Sequence, residues 1–222
     1  MSNLVTILDY GLGNIKAFYN IYKSSNVKVN VASKPSELKL VKNLIIPGVG
    51  SYDWGIAKLT KSGLKPYLDE LAIDKKIPIL GVCLGMQLMS RRSEEGSLEG
   101  LGWLNSEVLK LPMIFNNTKK DKITINNDSC KKNILPHMGW NNIEIKKENL
   151  LLKDLDESYF YFLHSYYFNS QEDEFTIAKT EYGINFVSAV NHLNLYGVQF
   201  HPEKSHQAGI KLLLNFSKIE KC

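Results

Sequence analysis

The amino-acid sequence predicts an α/β protein with a central, mostly parallel sheet, flanking helices and a β-rich second half. Three apolar runs, at 4–8, 44–46 and 77–82, each precede a segment whose apolar residues recur at helical spacing. Strands that alternate with helices are typical of a parallel sheet covered on both faces. After about residue 103 the apolar runs become short and alternating, which indicates antiparallel or mixed strands.

The strands and helices of the first half can be placed in order. Asn14 follows a glycine turn and is the predicted N-cap of the first helix. A second helix is marked by Ile56, Leu59 and Leu64, and a third, over 84–90, follows its strand without a loop. The predicted strands are 4–8, 27–31, 44–46 and 77–82.

The second half contains further strands and ends in a helix. The segment 116–133 is polar and rich in Asn and Lys, so we expect an exposed loop or hairpin there. The last helix carries apolar residues at helical spacing, namely Ile210, Leu213, Leu214 and Phe216. The predicted strands are 108–113, 142–145, 159–163, 186–190 and 195–200.

Length and composition predict one ordinary folded domain. At roughly 150 residues per domain, the 222 residues allow a sizeable core but not two full domains. Apolar residues make up 44% and charged residues 23% of the chain, which excludes a disordered, collagen-like or coiled-coil protein. No repeat or linker divides the sequence, so we expect a single domain over 1–222.

Charge and hydropathy argue against nucleic-acid and membrane partners. The 27 Lys and Arg exceed the 23 Asp and Glu by a formal net charge of +4, spread over short patches instead of one basic face. The longest apolar stretch, 77–84, is interrupted by Pro78 and Gly81 and falls far short of the roughly 20 residues that span a bilayer. The N-terminus lacks the pattern of a secretory leader, so we expect a cytoplasmic protein.

The cysteines predict neither a disulfide framework nor a metal site. The chain has three cysteines, Cys83, Cys130 and Cys222. They are too few for a disulfide framework and too dispersed for a C-x-x-C metal site. We expect reduced thiols and no structural zinc.

The sharpest local signal is GVCLG at 81–85, directly after a buried strand and directly before a helix. It is a G-x-C-x-G form of the nucleophile elbow, whose glycines permit a strained strand-to-helix turn. Cys83 is the candidate nucleophile, because the helix dipole favours a thiolate and the Leu84 amide points toward a developing oxyanion. The alternative is a buried cysteine beside a glycine-rich crossover.

A thiolate needs a base, and His201 is the candidate among the five histidines. It opens a His-Pro-Glu segment after an apolar run, and Pro202 favours an extended conformation for the residue before it. In an extended segment His201 and Glu203 point the same way, so Glu203 is placed to orient the imidazole. The alternative is a strand-ending turn with a surface His and Glu.

A second glycine turn, PGVG at 47–50, also follows a buried strand. Its glycines free a backbone amide to point inward as the second half of an oxyanion hole. The alternative, which the motif on its own favours, is an ordinary glycine turn. A fragment of a dinucleotide fingerprint lies at 11–13, but G-x-G-x-x-G is not completed, because residue 16 is Lys. We expect no Rossmann cofactor site.

Together, GVCLGMQ at 81–87 and QFHPEKS at 199–205 resemble the class I glutamine amidotransferases. Within that class, further segments resemble the glutaminase subunits of imidazole glycerol phosphate synthase, an enzyme of histidine biosynthesis. They are DYGLGN at 9–14, PGVG at 47–50, PHMGWN at 136–141 and HSY at 164–166. The resemblance spans nearly the whole chain, and it implies a flavodoxin-like class I glutamine amidotransferase fold and no cofactor.

The resemblance also implies a reaction. Cys83 attacks the side-chain amide of L-glutamine, a γ-glutamyl thioester forms, ammonia leaves and water releases glutamate. His201 handles the protons and Glu203 orients His201. His164 lies in an aromatic segment, where we expect a packed, hydrogen-bonded histidine instead of a base.

Three further sets of residues follow from the resemblance. The oxyanion residues are Val49, Gly50 and Leu84. The residues that hold the amino-acid end of glutamine are Gln87, Glu95 and Ser165. The family passes ammonia to a (β/α)8-barrel cyclase partner in a heterodimer, and the interface residues are Asn14, Trp140 and Asn141. Without the resemblance, Met138 and Trp140 predict a turn buried in the core.

Three alternatives stay open at this point. A paralogous glutaminase that supplies ammonia to a surface-polysaccharide sugar amidotransferase would carry the same triad. A cysteine hydrolase acting on other amides or peptides would use the same elbow. A non-catalytic assembly module would keep the fold after losing activity.

Overall fold

The computed structural model describes residues 4–113, 134–170 and 173–221. Its α-helices are α1 (Ile15–Ser24), α2 (Tyr52–Ser62), α3 (Lys65–Asp69), α4 (Leu84–Gln87) and α5 (His206–Phe216). Its strands are β1 (Val5–Leu8), β2 (Val29–Ala32), β3 (Asn43–Gly48), β4 (Ile79–Cys83), β5 (Arg92–Ser93), β6 (Ser106–Lys110), β7 (His137–Asn142), β8 (Glu144–Ile145), β9 (Tyr159–His164), β10 (Tyr166–Ser170), β11 (Thr176–Tyr182), β12 (Ile184–His192) and β13 (Leu195–Val198). The loop expected at 116–133, with Cys130 and Cys222, lies outside the described residues.

The strands form one large sheet and two small ones. The large sheet has the order β2-β1-β3-β4-β13-β12-β11-β8. Its strands from β2 to β13 run parallel to one another, whereas β12, β11 and β8 continue the sheet in antiparallel pairing. Strands β10, β6 and β5 form a second sheet, and β7 pairs with β9. The predicted mostly parallel sheet with a β-rich second half is confirmed.

The large sheet separates two apolar cores. In β3, Leu44 and Ile46 face one core and Ile45 faces the other, as expected for a strand buried on both faces. Helices α2, α3 and α4 contribute apolar side chains to the first core, and α1 and α5 contribute them to the second. Helices on both faces of a sheet make this an α/β fold of three layers.

Two predicted helix ends are wrong. Leu64 lies beyond α2, because Gly63 takes the left-handed conformation with φ 69° and ends the helix. Helix α4 ends at Gln87 instead of residue 90, because the Ser90 amide donates to the Gln87 carbonyl three residues back and closes a tight last turn.

The other predicted elements lie within a few residues of their predicted positions, apart from 142–145, which is divided between β7 and β8. Helix α3 and strands β5, β10 and β11 were not predicted. Asn14 precedes α1 as expected, and its carbonyl oxygen accepts a hydrogen bond from the Ala17 amide at 3.1 Å. Its side chain, however, makes no capping hydrogen bond. None of the described helices is long and apolar enough to cross a membrane.

Asn43 joins the start of β3 to the end of α5. Its Nδ2 donates to the carbonyl oxygens of Phe216, at 3.1 Å, and Ile219, at 2.8 Å, and the residue is 2% exposed. In Asn43→Ala both carbonyls lose the Asn43 donor, although the Phe216 carbonyl keeps the Ile219 amide at 3.1 Å, so we expect the free energy of unfolding to fall by about 1–2 kcal/mol in urea titrations. The exposed Asn20 of α1 offers the matched control, Asn20→Ala, which should change it by less than about 0.5 kcal/mol. An Asn43→Ala variant as stable as that control contradicts this role.

Candidate active site

Three strand ends meet at one edge of the large sheet. In the parallel pairs, Gly48 of β3 lies opposite Cys83 of β4, and Val82 lies opposite Val198 of β13. The carboxyl ends of parallel strands lie at the same edge of a sheet, which is where α/β proteins bind their ligands. The PGVG turn, the elbow and the His-Pro-Glu segment are therefore neighbours in space.

Cys83 occupies a strained strand-to-helix turn. It is the last residue of β4, and α4 begins at Leu84 without an intervening loop. Its φ of 54° and ψ of −110° lie outside the regions that residues with a Cβ favour. The residue is 7% exposed and lines a cavity at the sheet edge. The backbone thus has the geometry that the sequence predicts for a nucleophile elbow.

Both glycines of the elbow are sterically required. A Cβ at Gly81 would lie 2.6 Å from the carbonyl oxygen of Gly85. A Cβ at Gly85 would overlap the carbonyl oxygen of Ile46 in the neighbouring β3. Any larger residue at either position would push the elbow away from the sheet.

His201 is held just after β13 by its own main chain. Its N–H donates to the Tyr161 carbonyl at 2.8 Å, and its carbonyl oxygen accepts from Ser205 Oγ at 2.6 Å. Its Nδ1 lies 3.0 Å from Glu203 Oε1, and the two side chains are 2% and 1% exposed. The expected pair is present, but the reason given for it is wrong. His201 alone is extended, and a 3-10 turn at Pro202–Lys204, not a continuing strand, folds Glu203 back onto it.

The charge of His201 is set by its neighbours. Burial alone would lower the pKa of His201, but the negative charge of Cys83, together with the hydrogen bond and charge of Glu203, raises it to about 10. His201 Nε2 and Glu203 Oε2 are buried and have no hydrogen-bond partner among the described residues. Since Glu203 occupies Nδ1, Nε2 is the ring nitrogen available to exchange a proton at this edge.

A cavity of about 150 Å³ opens at the elbow. It brings together Cys83 and all six residues expected to form the oxyanion hole or bind glutamine. Its lining is Val49, Gly50, Cys83, Leu84, Gln87, Glu95, Leu163, His164, Ser165 and Tyr166. A larger cleft of about 580 Å³ is lined by residues between Ile145 and Asp156 and contains no cysteine or histidine in that lining. We therefore place the candidate active site in the smaller cavity.

Two glutamine side chains, Gln87 and Gln199, link Cys83 to the Tyr166 carbonyl through hydrogen bonds. Gln87 Nε2 donates to the Tyr166 carbonyl at 2.9 Å and to Gln199 Oε1 at 3.0 Å. Gln199 Nε2 in turn donates to Cys83 Sγ at 3.7 Å, a contact that stabilises an anionic sulfur. Sequence reasoning missed this role of Gln199. Its position just before the His-Pro-Glu segment was the available signal.

The family model of class I glutamine amidotransferases matches residues 6–219. The chain belongs to the class I glutamine amidotransferase family. It is 46% identical to the imidazole glycerol phosphate synthase subunit HisH of Leptospira borgpetersenii, over 97% of this chain and 100% of that one. The HisH subunits of Leptospira interrogans and Bdellovibrio bacteriovorus are 43% and 42% identical, each over 97% of this chain and 100% of their own length.

Solved structures share the fold of this class I glutamine amidotransferase. PurLQS of Thermotoga maritima superposes with a TM-score of 0.69 at 14% identity, over 97% of this chain and 98% of that one. A glutamine amidotransferase of Thermotoga maritima gives a TM-score of 0.59 at 15% identity, over 98% and 96% of the two chains. At such identities the likeness supports the fold alone.

Within the cavity of this amidotransferase, Glu95 holds the start of α2. Its Oε2 accepts a hydrogen bond from the Tyr52 amide at 2.8 Å, directly after the turn that carries Gly50. Burial, opposed by that hydrogen bond, raises the pKa of Glu95. Ser165 contributes to the wall, and its carbonyl oxygen accepts from the Leu111 amide at 2.9 Å.

His164 is packed and hydrogen-bonded, as expected. It belongs to a chain of hydrogen bonds in which every group donates in the same direction. Its Nδ1 donates to the Tyr166 carbonyl at 2.8 Å, so its Nε2 accepts from His137 Nδ1 at 3.0 Å. His137 Nε2 then accepts from Asn141 Nδ2 at 3.3 Å, which also donates to the Glu181 carbonyl at 2.9 Å. Every ring in this chain is satisfied as neutral imidazole. Burial lowers the pKa of His137 to about 4, and burial with the charge of His137 lowers that of His164 to about 3.

The residues expected at the partner interface lie outside the cavity. Asn14 is exposed, and the neighbouring Gly13 lies against Pro47, where a Cβ would be 2.9 Å from the proline. Trp140 is 47% exposed and stacks on His206, with ring centroids 5.1 Å apart. The expectation that Met138 and Trp140 form a core turn is wrong, because alternation along β7 turns both outward and leaves Met138 65% exposed. Asn141 is turned inward by the same alternation.

Among the residues that the structure describes, no group of three His, Cys, Asp or Glu side chains is arranged to hold a metal ion. The single described cysteine, Cys83, is a free thiol.

Removing the charge of Glu203 tests the His201 environment. In Glu203→Gln the carboxylate that raises the His201 pKa is lost, so we expect kcat for glutamine hydrolysis to fall by at least about a hundredfold. Because the His201 pKa falls in this variant, the basic limb of the pH profile of kcat should move to lower pH. Glutamate release across the pH range measures both. The exposed Glu220 offers the control, Glu220→Gln, which should keep wild-type kcat. A Glu203→Gln enzyme with wild-type kcat and pH profile contradicts the assignment.

The neutral histidine pair predicts loss of stability in mild acid. The unfolded chain takes up protons on histidine near pH 6.5, whereas folded His137 and His164 resist protonation down to about 4 and about 3. The free energy of unfolding should therefore be fully present above pH 6.5 and fall as the pH drops below it, by up to about 1.4 kcal/mol per pH unit for each histidine. Urea unfolding at about pH 7 and about pH 5 measures the slope. His137→Gln should flatten it, and an unchanged slope in that variant would refute the explanation.

Proposed function

We propose that this class I glutamine amidotransferase is the glutaminase subunit of an imidazole glycerol phosphate synthase. It hydrolyses L-glutamine to glutamate and ammonia and delivers the ammonia to the cyclase subunit in histidine biosynthesis. One observation supports the chemistry above the others. Cys83, in a strained elbow, lies at the same sheet edge as the buried His201, whose Nδ1 contacts Glu203. The likeness to HisH subunits over their full length supports the pathway.

In the first half-reaction the Cys83 thiolate attacks the side-chain amide carbon of glutamine. The carbonyl oxygen becomes an oxyanion, which the Leu84 amide at the start of α4 and the amides of Val49 and Gly50 stabilise. His201 gives its Nε2 proton to the leaving nitrogen, the C–N bond breaks, and ammonia departs. A γ-glutamyl thioester on Cys83 remains.

In the second half-reaction water attacks the thioester carbon. His201 Nε2 accepts a proton from that water, and Glu203 stabilises the imidazolium that forms. The C–S bond breaks, glutamate leaves, and the thiolate is restored. The raised pKa of His201 suits this cycle, because it keeps the imidazole protonated and ready to give a proton to the leaving nitrogen.

The remaining cavity residues hold the substrate. Gln87, Glu95 and Ser165 line the same cavity as Cys83, which supports their proposed role in binding the amino-acid end of glutamine. A carboxylate such as Glu95 complements the α-ammonium group of the substrate.

The cyclase partner is a (β/α)8-barrel, and the two subunits form a heterodimer. Asn14 and Trp140 are exposed, which supports their place at or near the interface. Asn141 follows Trp140 in β7, and its side chain donates to His137. We also propose a single domain over 1–222, supported by the continuous family match, and a cytoplasmic location, supported by the biosynthetic role of the relatives.

The division of labour between the subunits can be tested with Cys83→Ala. We expect this variant, in complex with the cyclase, to lose glutamine hydrolysis and glutamine-dependent synthesis but to keep synthesis from free ammonium salts, because the nucleophile serves only ammonia release. Glutamate release and imidazole glycerol phosphate formation are measured in parallel. Loss of ammonium-dependent synthesis in a correctly assembled complex would refute the division.

Choice of partner separates this function from a sugar-amidating paralogue. Glutamate release by the wild-type chain is measured alone and with a histidine-pathway cyclase and its nucleotide ligand. Strong, Cys83-dependent stimulation supports the histidine pathway. Cys83-dependent hydrolysis without stimulation by that partner supports the paralogue.

A further inference from the structure

Tyr10 follows β1 at the same sheet edge and carries an unsatisfied hydroxyl. The residue is 5% exposed, and its hydroxyl is buried without a hydrogen-bond partner among the described residues. Four buried side-chain polar atoms in the described part of the chain share this state, and two of them are His201 Nε2 and Glu203 Oε2. A buried hydroxyl without a partner is unfavourable in a resting fold, so its persistence beside reacting groups points to a partner that arrives during turnover.

The hydroxyl lies against the turn that leads to the oxyanion residues. A Cβ built on Gly48 would be 2.9 Å from Tyr10 Oη and 2.8 Å from the Gly85 amide nitrogen. Gly48 also lies opposite Cys83 in the β3–β4 pair. The hydroxyl therefore sits between the oxyanion turn at 47–50 and the elbow.

Tyr10 is a hydrogen-bond donor at every working pH. Burial, followed by the negative charge of Cys83, raises its pKa far above the usual range of tyrosine. The phenol stays protonated and has a proton to donate.

The geometry of a peptide unit indicates which acceptor the Tyr10 hydroxyl would find. The N–H and C=O of one trans peptide point in opposite directions. When a peptide of the turn at 47–50 aims its N–H at the substrate oxyanion, its carbonyl oxygen must turn away from the cavity and into the protein. A buried carbonyl oxygen needs a donor there.

We propose that Tyr10 is a positioning residue for the oxyanion turn, donating a hydrogen bond from its hydroxyl to the carbonyl oxygen of the turn peptide whose N–H enters the cavity. This rests on the proposed glutaminase function. The bond exists only in the competent form of the turn, so it shifts the population of the turn toward that form without contacting glutamine.

Tyr10→Phe removes only the hydroxyl oxygen and leaves the ring in the core. In complex with the cyclase, we expect kcat for glutamine hydrolysis to fall about tenfold, with the KM for glutamine unchanged. Alkylation of Cys83 by iodoacetamide forms no oxyanion, so its rate should stay at the wild-type value. The stability of the variant toward urea should not fall, because the lost hydroxyl makes no hydrogen bond in the resting state.

Tyr22→Phe is the matched control. Tyr22 is fully buried in α1, does not line the cavity, and its hydroxyl donates to the Leu213 carbonyl at 2.9 Å. Its loss should lower stability and leave kcat unchanged, the reverse of the pattern expected for Tyr10→Phe.

Three results would overturn the proposal for Tyr10. A kcat of Tyr10→Phe within twofold of the wild type would show that Tyr10 does not position the turn. A raised KM at constant kcat would show that Tyr10 contacts the substrate instead. Parallel slowing of alkylation and turnover would show that the hydroxyl acts on the thiol instead of the turn. Failure of the wild-type complex to release glutamate would refute the glutaminase function itself and is distinct from all three.

Discussion

Strands β3, β4 and β13 lie side by side in parallel register, with Gly48 opposite Cys83 and Val198 opposite Val82. This register brings the PGVG turn, Cys83 and the His-Pro-Glu segment to one sheet edge within a few residues of each strand end. It also forces the chain to reverse direction into α4 immediately after Cys83, with only glycine tolerated at Gly81 and Gly85. The positive φ of Cys83 is thus maintained by the packing of the sheet. The site residues are held in place by the central strands that they follow.

Burial gives the site its electrostatics. His201 and Glu203 are almost fully enclosed, so the charges of Cys83 and Glu203 act on the imidazole with little screening by water. His164 and His137 are enclosed too, but their hydrogen-bond partners beyond one another are carbonyl and amide groups, and they stay neutral. The same physical condition therefore produces opposite protonation in adjacent histidines, because only His201 faces negative charge. The neutral pair lets His164 line the cavity without adding a competing positive charge beside the nucleophile.

Local patterns sufficed for the elbow and for the choice of His201 and Glu203, because glycine spacing and strand ends are encoded within a few residues. They did not reveal how Glu203 reaches His201, since a turn at Pro202–Lys204 replaces the expected extended chain. Local patterns also predicted that Met138 is buried, whereas it is exposed. An apolar residue on a short strand cannot be assigned to the buried or the exposed face until its neighbours in space are known.

The contacts that sequence reasoning missed join residues far apart in the chain. Gln199 and Cys83 are separated by 116 positions, and His137 and His164 by 27. Tyr10 and Gly48 meet only because β1 and β3 are adjacent in the sheet. The proposed mechanism requires that Cys83 carries the γ-glutamyl group during turnover. This can be measured by acid quenching of the complex while it turns over glutamine, followed by peptide mass spectrometry. We expect a glutamyl adduct on the peptide that contains Cys83, whereas glutamate release with the adduct on another residue, or with none at any quench time, would refute the mechanism.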